Sequence, residues 1–129
     1  MRRLPLLLAA GALAFVAEAG APGSIEPEAL GERIAWADQS LVVLDVRTPA
    51  EYAAGHVPGA INIPHTELAA RLAELDGARD RDVVVYCRSG RRTSEAVGIL
   101  GKAGFKRLLR LEGDFTRWIE EKRPVIAAQ

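Results

Sequence analysis

Cysteine is almost missing from this chain: one thiol, Cys87, stands in 129 residues. No disulfide can form within the chain, so the stapled scaffolds common among small exported domains are excluded. Net charge is missing too. Seventeen basic side chains face seventeen acidic ones, and nothing draws the molecule as a whole toward nucleic acid or an anionic membrane. Any attraction for anions has to be local. Histidine is limited to His56 and His65, which with a single cysteine make no metal-ligand pattern. No cofactor is called for. Internal repeats, low-complexity tracts and blocks of like charge are absent. No apolar run reaches the ~20 residues that a membrane-spanning helix needs.

What is present begins with a leader pattern. Met1-Arg2-Arg3 is basic, residues 4–17 are apolar, and Ala17-Glu18-Ala19 carries small residues at the spacing of a signal-peptidase site. The expectation is a signal peptide over 1–19, cleaved after Ala19, and export to the bacterial periplasm; a retained anchor is the alternative. No stable membrane association is expected after cleavage. Residues 20–24 read as a flexible lead-in and 25–126 as one domain, a length that holds a single core.

Strand and helix signals alternate through that domain. Leu30, Ile34 and Ala37 recur at helical spacing, with Pro27 where a first turn tolerates it. Leu41-Val42-Val43-Leu44 and Val83-Val84-Val85-Tyr86 are short continuous apolar runs, the pattern of strands buried on both faces. Residues 60–63 and 107–111 read as further strands. Thr66 is positioned to cap a helix over Glu67–Leu75, and Asp114 to cap a last helix bearing Phe115, Trp118 and Ile119. Thr93–Ala103 reads as a helix ended by Gly104. Such alternation implies an α/β domain with a parallel sheet covered on both sides. Trp36, Trp118 and Phe105 read as core rather than as a stacking surface.

Cys87-Arg88-Ser89-Gly90-Arg91-Arg92 lies where a buried strand gives way to a helix. Ligands in parallel α/β sheets bind beyond the carboxyl ends of strands. A helix start offers unpaired N–H groups and partial positive charge, and three arginines stand close in sequence. A thiol placed there should ionise easily, and the thiolate is its nucleophilic form.

Two ordered motifs carry a family resemblance. Residues 44–52 (Leu-Asp-Val-Arg-Thr-Pro-Ala-Glu-Tyr) continue into Gly55-His56-Val57-Pro58-Gly59-Ala60-Ile61-Asn62-Ile63-Pro64; residues 84–94 hold the cysteine loop. A weaker third comprises Leu111-Glu112-Gly113, Trp118 and Pro124-Val125. The chain resembles the rhodanese-like sulfurtransferases, and with its leader looks like the single-domain periplasmic thiosulfate sulfurtransferases. The resemblance implies the rhodanese-like fold: a five-stranded, mainly parallel sheet with helices on both faces. It implies that Cys87 carries the sulfur and that the loop wraps its N–H groups around it. Many relatives have a second glycine and an aromatic where this chain has Asp114 and Phe115; that departure is expected to bear on the start of the last helix, not on the chemistry.

The chemistry expected is two-step transfer. The Cys87 thiolate attacks the sulfane sulfur of an anionic donor such as thiosulfate, sulfite leaves, and a thiol or cyanide takes the sulfur from the persulfide. Gly90 permits close backbone approach. Arg88 and Arg92 are the first candidates to grip the donor, with Arg91 behind them; each has substrate contact and a solvated or bracing role as alternatives. Ser89, through its N–H, and Thr93, also a candidate helix cap, are counted with Gly90 and the arginines as substrate-binding residues. Asp45, Arg47 and Glu51 suggest an acid–base network, but a turn braced by ion pairs is the stronger reading. His56 and His65 read as structural.

Two rivals remain. A cysteine-dependent phosphatase or arsenate reductase of related fold has five residues between cysteine and arginine, whereas here four separate Cys87 from Arg92. The smaller cradle suits a sulfur atom. A non-catalytic persulfide carrier serving a partner protein would keep Cys87, but the sequence alone shows no large exposed apolar face for a partner. Oligomeric state is not legible.

Overall fold

The computed structural model describes residues 22–128. The expected signal peptide over 1–19 lies outside the described residues. Five strands form one sheet in the order β1-β5-β4-β2-β3: β1 Gly23–Ile25, β2 Leu41–Asp45, β3 Ile61–Asn62, β4 Asp82–Tyr86 and β5 Leu108–Leu111. Every pairing in it is parallel. Helices α1 (Pro27–Ala35), α2 (Pro49–Ala54), α3 (His65–Leu68), α4 (Arg91–Lys102) and α5 (Asp114–Glu120) connect and cover the strands. None of the described helices is long and apolar enough to cross a membrane.

The apolar runs of β2 and β4 serve two cores at once, because successive side chains point to opposite faces. Val83 and Val85 join Leu44, Leu68, Leu75 and Leu100 on one face. Val84 and Tyr86 join Ile25, Leu30, Val43 and Trp118 on the other. This double burial explains why those strands read as unbroken hydrophobic stretches rather than alternating ones.

Three local expectations are corrected. Gly23 and Ser24, placed in the lead-in, belong to edge strand β1, whose Ile25 C=O accepts from Glu112 N–H at 2.9 Å. The helix expected over residues 67–75 is split into α3, with Pro64 rather than Thr66 at its N-cap, and a tighter 3-10 segment over Leu72–Ala78. Leu72, Leu75 and Ala78 are spaced by three, so one face of a 3-10 helix brings all of them to the core. Trp36 is 85% exposed. It lies two residues past Ile34, about 200° around the helix from the face that Ile34 turns to the core. Trp118 and Phe105 are buried, and Gly104 ends α4 at φ 92°.

Candidate active site

Cys87 follows the last residue of β4 and is 1% exposed. The chain then turns through Arg88-Ser89-Gly90 into α4. Gly90 is the N-cap, with φ 117°, a conformation open to glycine and strained for other residues. The turn brings the Gly90 N–H onto the Cys87 Sγ at 3.0 Å. Arg91, Arg92 and Thr93 open α4, and first-turn N–H groups have no acceptor inside their own helix.

Helix α5 holds the loop from behind. Phe115 N–H donates to the Cys87 C=O at 2.9 Å and Thr116 N–H to the Arg88 C=O at 3.1 Å. The Thr116 hydroxyl adds a second bond to the Arg88 C=O, at 2.9 Å. With those carbonyls fixed on α5, the start of the loop is held in one orientation and its carbonyl dipoles are neutralised there. The first turn of α5 thus spends its orphan donors on the cysteine loop.

Asp114 carries a role that the sequence does not announce. It does not cap α5: Gly113 stands at the N-cap, in the left-handed region at φ 74°. The Asp114 carboxylate turns the other way. Its Oδ1 accepts the Cys87 N–H at 3.0 Å and the Thr93 hydroxyl at 2.8 Å. Its backbone stands at φ 52°. The influence of Asp114, expected to bear only on the start of the last helix, therefore reaches the cysteine itself. Nor does Thr93 cap α4: its hydroxyl is spent on Asp114, and the residue is fully buried. A sequence signal existed only in part, as an aspartate right after a glycine at a helix start.

The arginines separate. Arg92 forms a two-pronged ion pair with Glu51, 2.5 Å from Nη1 to Oε1 and 3.0 Å from Nη2 to Oε2. Glu51 also closes a capping box with Thr48 at the start of α2. The hydrogen bond from Arg92, opposed by partial burial and supported by Thr48, holds the Glu51 carboxyl at about 2. Arg92 thus braces α2 against α4 rather than projecting as a free fork. Arg88 and Arg91 are exposed and make no ion pair among the described residues. Ser89 is exposed beside them.

Asp45 and Arg47 lie under the site. Arg47 Nη2 meets Asp45 Oδ2 at 2.7 Å, and the two are 4% and 0% exposed. Arg47 also donates to the Gly55 C=O at 2.7 Å and lies 4.1 Å from the Phe115 ring centre. Burial works against the guanidinium charge, yet the bonds to Asp45 more than offset it and raise the Arg47 pKa. The Tyr86 hydroxyl donates to Asp45 Oδ2 at 2.7 Å and accepts from Val57 N–H at 3.1 Å. Burial first, and the Asp45 charge second, push its pKa up, so it remains a donor. His56 is buried, with Nδ1 2.9 Å from the Tyr52 C=O and its ring stacked on Tyr52. His65 lies 3.3 Å from Glu95 on the surface. Among the described residues no cluster of His, Cys, Asp and Glu could hold a metal ion.

A lone cysteine past the central strand of a parallel α/β sheet, in a loop that turns the Gly90 N–H onto its sulfur, defines a class of thiol-bearing domain. The sequence matches the Rhodanese-like domain over residues 26–121, and the chain belongs to that family. It is 39% identical over 105 residues, 81% of this chain and 95% of the relative, to a sulfurtransferase of Allochromatium vinosum. It is 45% identical over 66% of its length to an HTH-type transcriptional regulator of Mycobacterium tuberculosis, of which it spans 40%. The crystal structure of a rhodanese-related protein from Thermoplasma volcanium superposes with a TM-score of 0.70, at 36% identity, covering 81% of this chain and 97% of that one.

Proposed function

We propose that the protein is a sulfurtransferase that moves a sulfane sulfur from thiosulfate, or a similar anionic donor, to a thiol or cyanide through a persulfide on Cys87. The carrying observation is the 3.0 Å approach of the Gly90 N–H to the Cys87 sulfur, in a loop whose first carbonyls are fixed on α5. The inward Gly90 N–H stabilises negative charge on the nucleophile and on the persulfide without a side chain. The thiolate attacks the outer sulfur of the donor, the S–S bond to sulfite breaks, and sulfite leaves with the electron pair. An acceptor thiolate or cyanide then takes the outer sulfur and restores the Cys87 thiolate.

Arg88 and Arg91 receive the donor's oxyanion end in this reading, while Arg92 keeps α2 and α4 in place. The commitment of Arg92 to Glu51 also favours sulfur over phosphoryl chemistry, since a phosphoryl cradle needs its arginine fork for the substrate oxygens. Periplasmic export, resting on the pattern of residues 1–19, is part of the proposal.

Incubation with thiosulfate followed by intact-mass spectrometry is expected to show a gain of one sulfur atom, discharged by cyanide as thiocyanate. Cys87→Ala is expected to abolish both the adduct and thiocyanate formation while keeping the parental fold. Thiocyanate at the parental rate from Cys87→Ala, or aryl-phosphate hydrolysis without any sulfur adduct, would overturn the assignment. Mass analysis of the protein recovered from the periplasm also fixes its mature N-terminus.

A further inference from the structure

The surface beside the cysteine loop is apolar. Ala54, Phe115, Ile119 and Val125 line a hollow of about 370 Å³, with Arg47, Glu51 and Arg88 among its polar lining. Phe115 ties this hollow to the site, because its N–H holds the Cys87 C=O at 2.9 Å. Ile119 and Val125 are 47% and 41% exposed, and Ile126, next in sequence, is 48% exposed. They are three of the five large apolar side chains left exposed among the described residues. Apolar groups gathered in the open mark a contact surface. Cyanide has no body to bury there.

The charges narrow the occupant. Arg47 is committed to Asp45 and Glu51 to Arg92. Arg88 alone among the charged lining residues makes no ion pair among the described residues. The one unpaired charge in the hollow's lining is therefore positive.

Resting on the sulfur-transfer reading above, we infer that the acceptor is a cysteine of a partner protein, presented on an acidic and apolar segment. Its apolar side chains seat between Phe115, Ile119 and Val125, and its carboxylate meets Arg88, vacated once sulfite has left. The acceptor thiolate attacks the outer sulfur of the Cys87 persulfide. A bond forms between the two, the bond to Cys87 Sγ breaks with its electron pair returning as thiolate, and the partner leaves as a persulfide. The encounter is transient, as befits a small patch.

The test is single-turnover transfer from the full chain, preloaded with sulfur from thiosulfate and freed of excess donor. The probes are a Leu-Glu-Cys-Phe-Glu peptide, a Gly-Ser-Cys-Ser-Gly peptide, and cyanide. The acidic, apolar peptide is expected to discharge the persulfide at least about tenfold faster than the polar one at equal low concentration. Ile119→Ser and, separately, Val125→Ser are expected to shrink that preference about fivefold while thiocyanate formation from cyanide persists. Equal rates for the two peptides, or a preference untouched in both variants, would overturn the docking surface while cyanide discharge still upholds sulfur transfer. Failure of the parent chain to load sulfur or to discharge it to cyanide would overturn both.

Discussion

At Asp114 the backbone stands at φ 52°, where a side chain costs on the order of 1–2 kcal/mol relative to the right-handed region. Aspartate tolerates this region better than most residues, and its carboxylate draws a return from two buried donors, the Cys87 N–H and the Thr93 hydroxyl. These two effects can be separated by substitution. Asp114→Gly relieves the backbone but orphans both donors, a loss of roughly 1–3 kcal/mol against the relief. Its thermal midpoint is therefore expected to stay near that of the parent, while sulfur transfer falls about tenfold or more as the loop loses its anchor. Asp114→Asn keeps an acceptor oxygen and tolerates the backbone, and is expected to recover most of the rate. Parallel melting curves and thiocyanate assays check the split; parental turnover in Asp114→Gly would make the carboxylate a spectator.

Between elements, the Glu51–Arg92 pair joins the first turn of α2 to the first turn of α4, across 41 residues of sequence. The Glu51 carboxyl sits at about 2 in the fold against an ordinary 4.5. A depressed folded value means that the unfolded chain binds the proton first. The stabilisation is therefore complete above the ordinary value and is lost as pH falls through about 2. Glu51→Gln is expected to lower stability at neutral pH and to flatten the decline below pH 4.5, read from urea midpoints across that window. How much was legible in the sequence follows the same division between local and long-range causes. Strands β2 and β4 could be read because burial on both faces writes an unbroken apolar run, and the cysteine loop because the strand-to-helix change is local. Strand β1 could not, since Gly23 and Ser24 have little strand character and only pairing with β5 orders them. Nor could the duties of the arginines, because Glu51 gives Arg92 its bracing role through tertiary packing alone.

Across the whole molecule, Asp45, Arg47 and Tyr86 form a buried polar knot that joins the carboxyl ends of the neighbouring strands β2 and β4 and packs on Phe115 beside the site. Asp45 ends β2 and Tyr86 ends β4. Arg47 reaches the Gly55 carbonyl after α2 and the Phe115 ring of α5. Removing one member of such a pair leaves a charge in a place from which water is excluded, at a cost of roughly 3–5 kcal/mol. That is a large part of the ~5–15 kcal/mol by which a domain is stable. Arg47→Met is therefore expected to shift the urea midpoint strongly downward, because Asp45 keeps only the Tyr86 hydroxyl and the Arg47 N–H as donors. Asp45→Asn in the same chain removes the stranded charge at once. The double variant is expected to be more stable than the sum of the two single losses predicts, with a coupling of about 1–3 kcal/mol in the cycle. Simple additivity would mean that the two side chains act independently, each held by its other partners. Loss of the knot is also expected to reach the chemistry, since Arg47 packs on Phe115 and the Phe115 N–H fixes the Cys87 carbonyl. In a folded Arg47→Met chain, sulfur loading at Cys87 should therefore slow even at temperatures well below its midpoint.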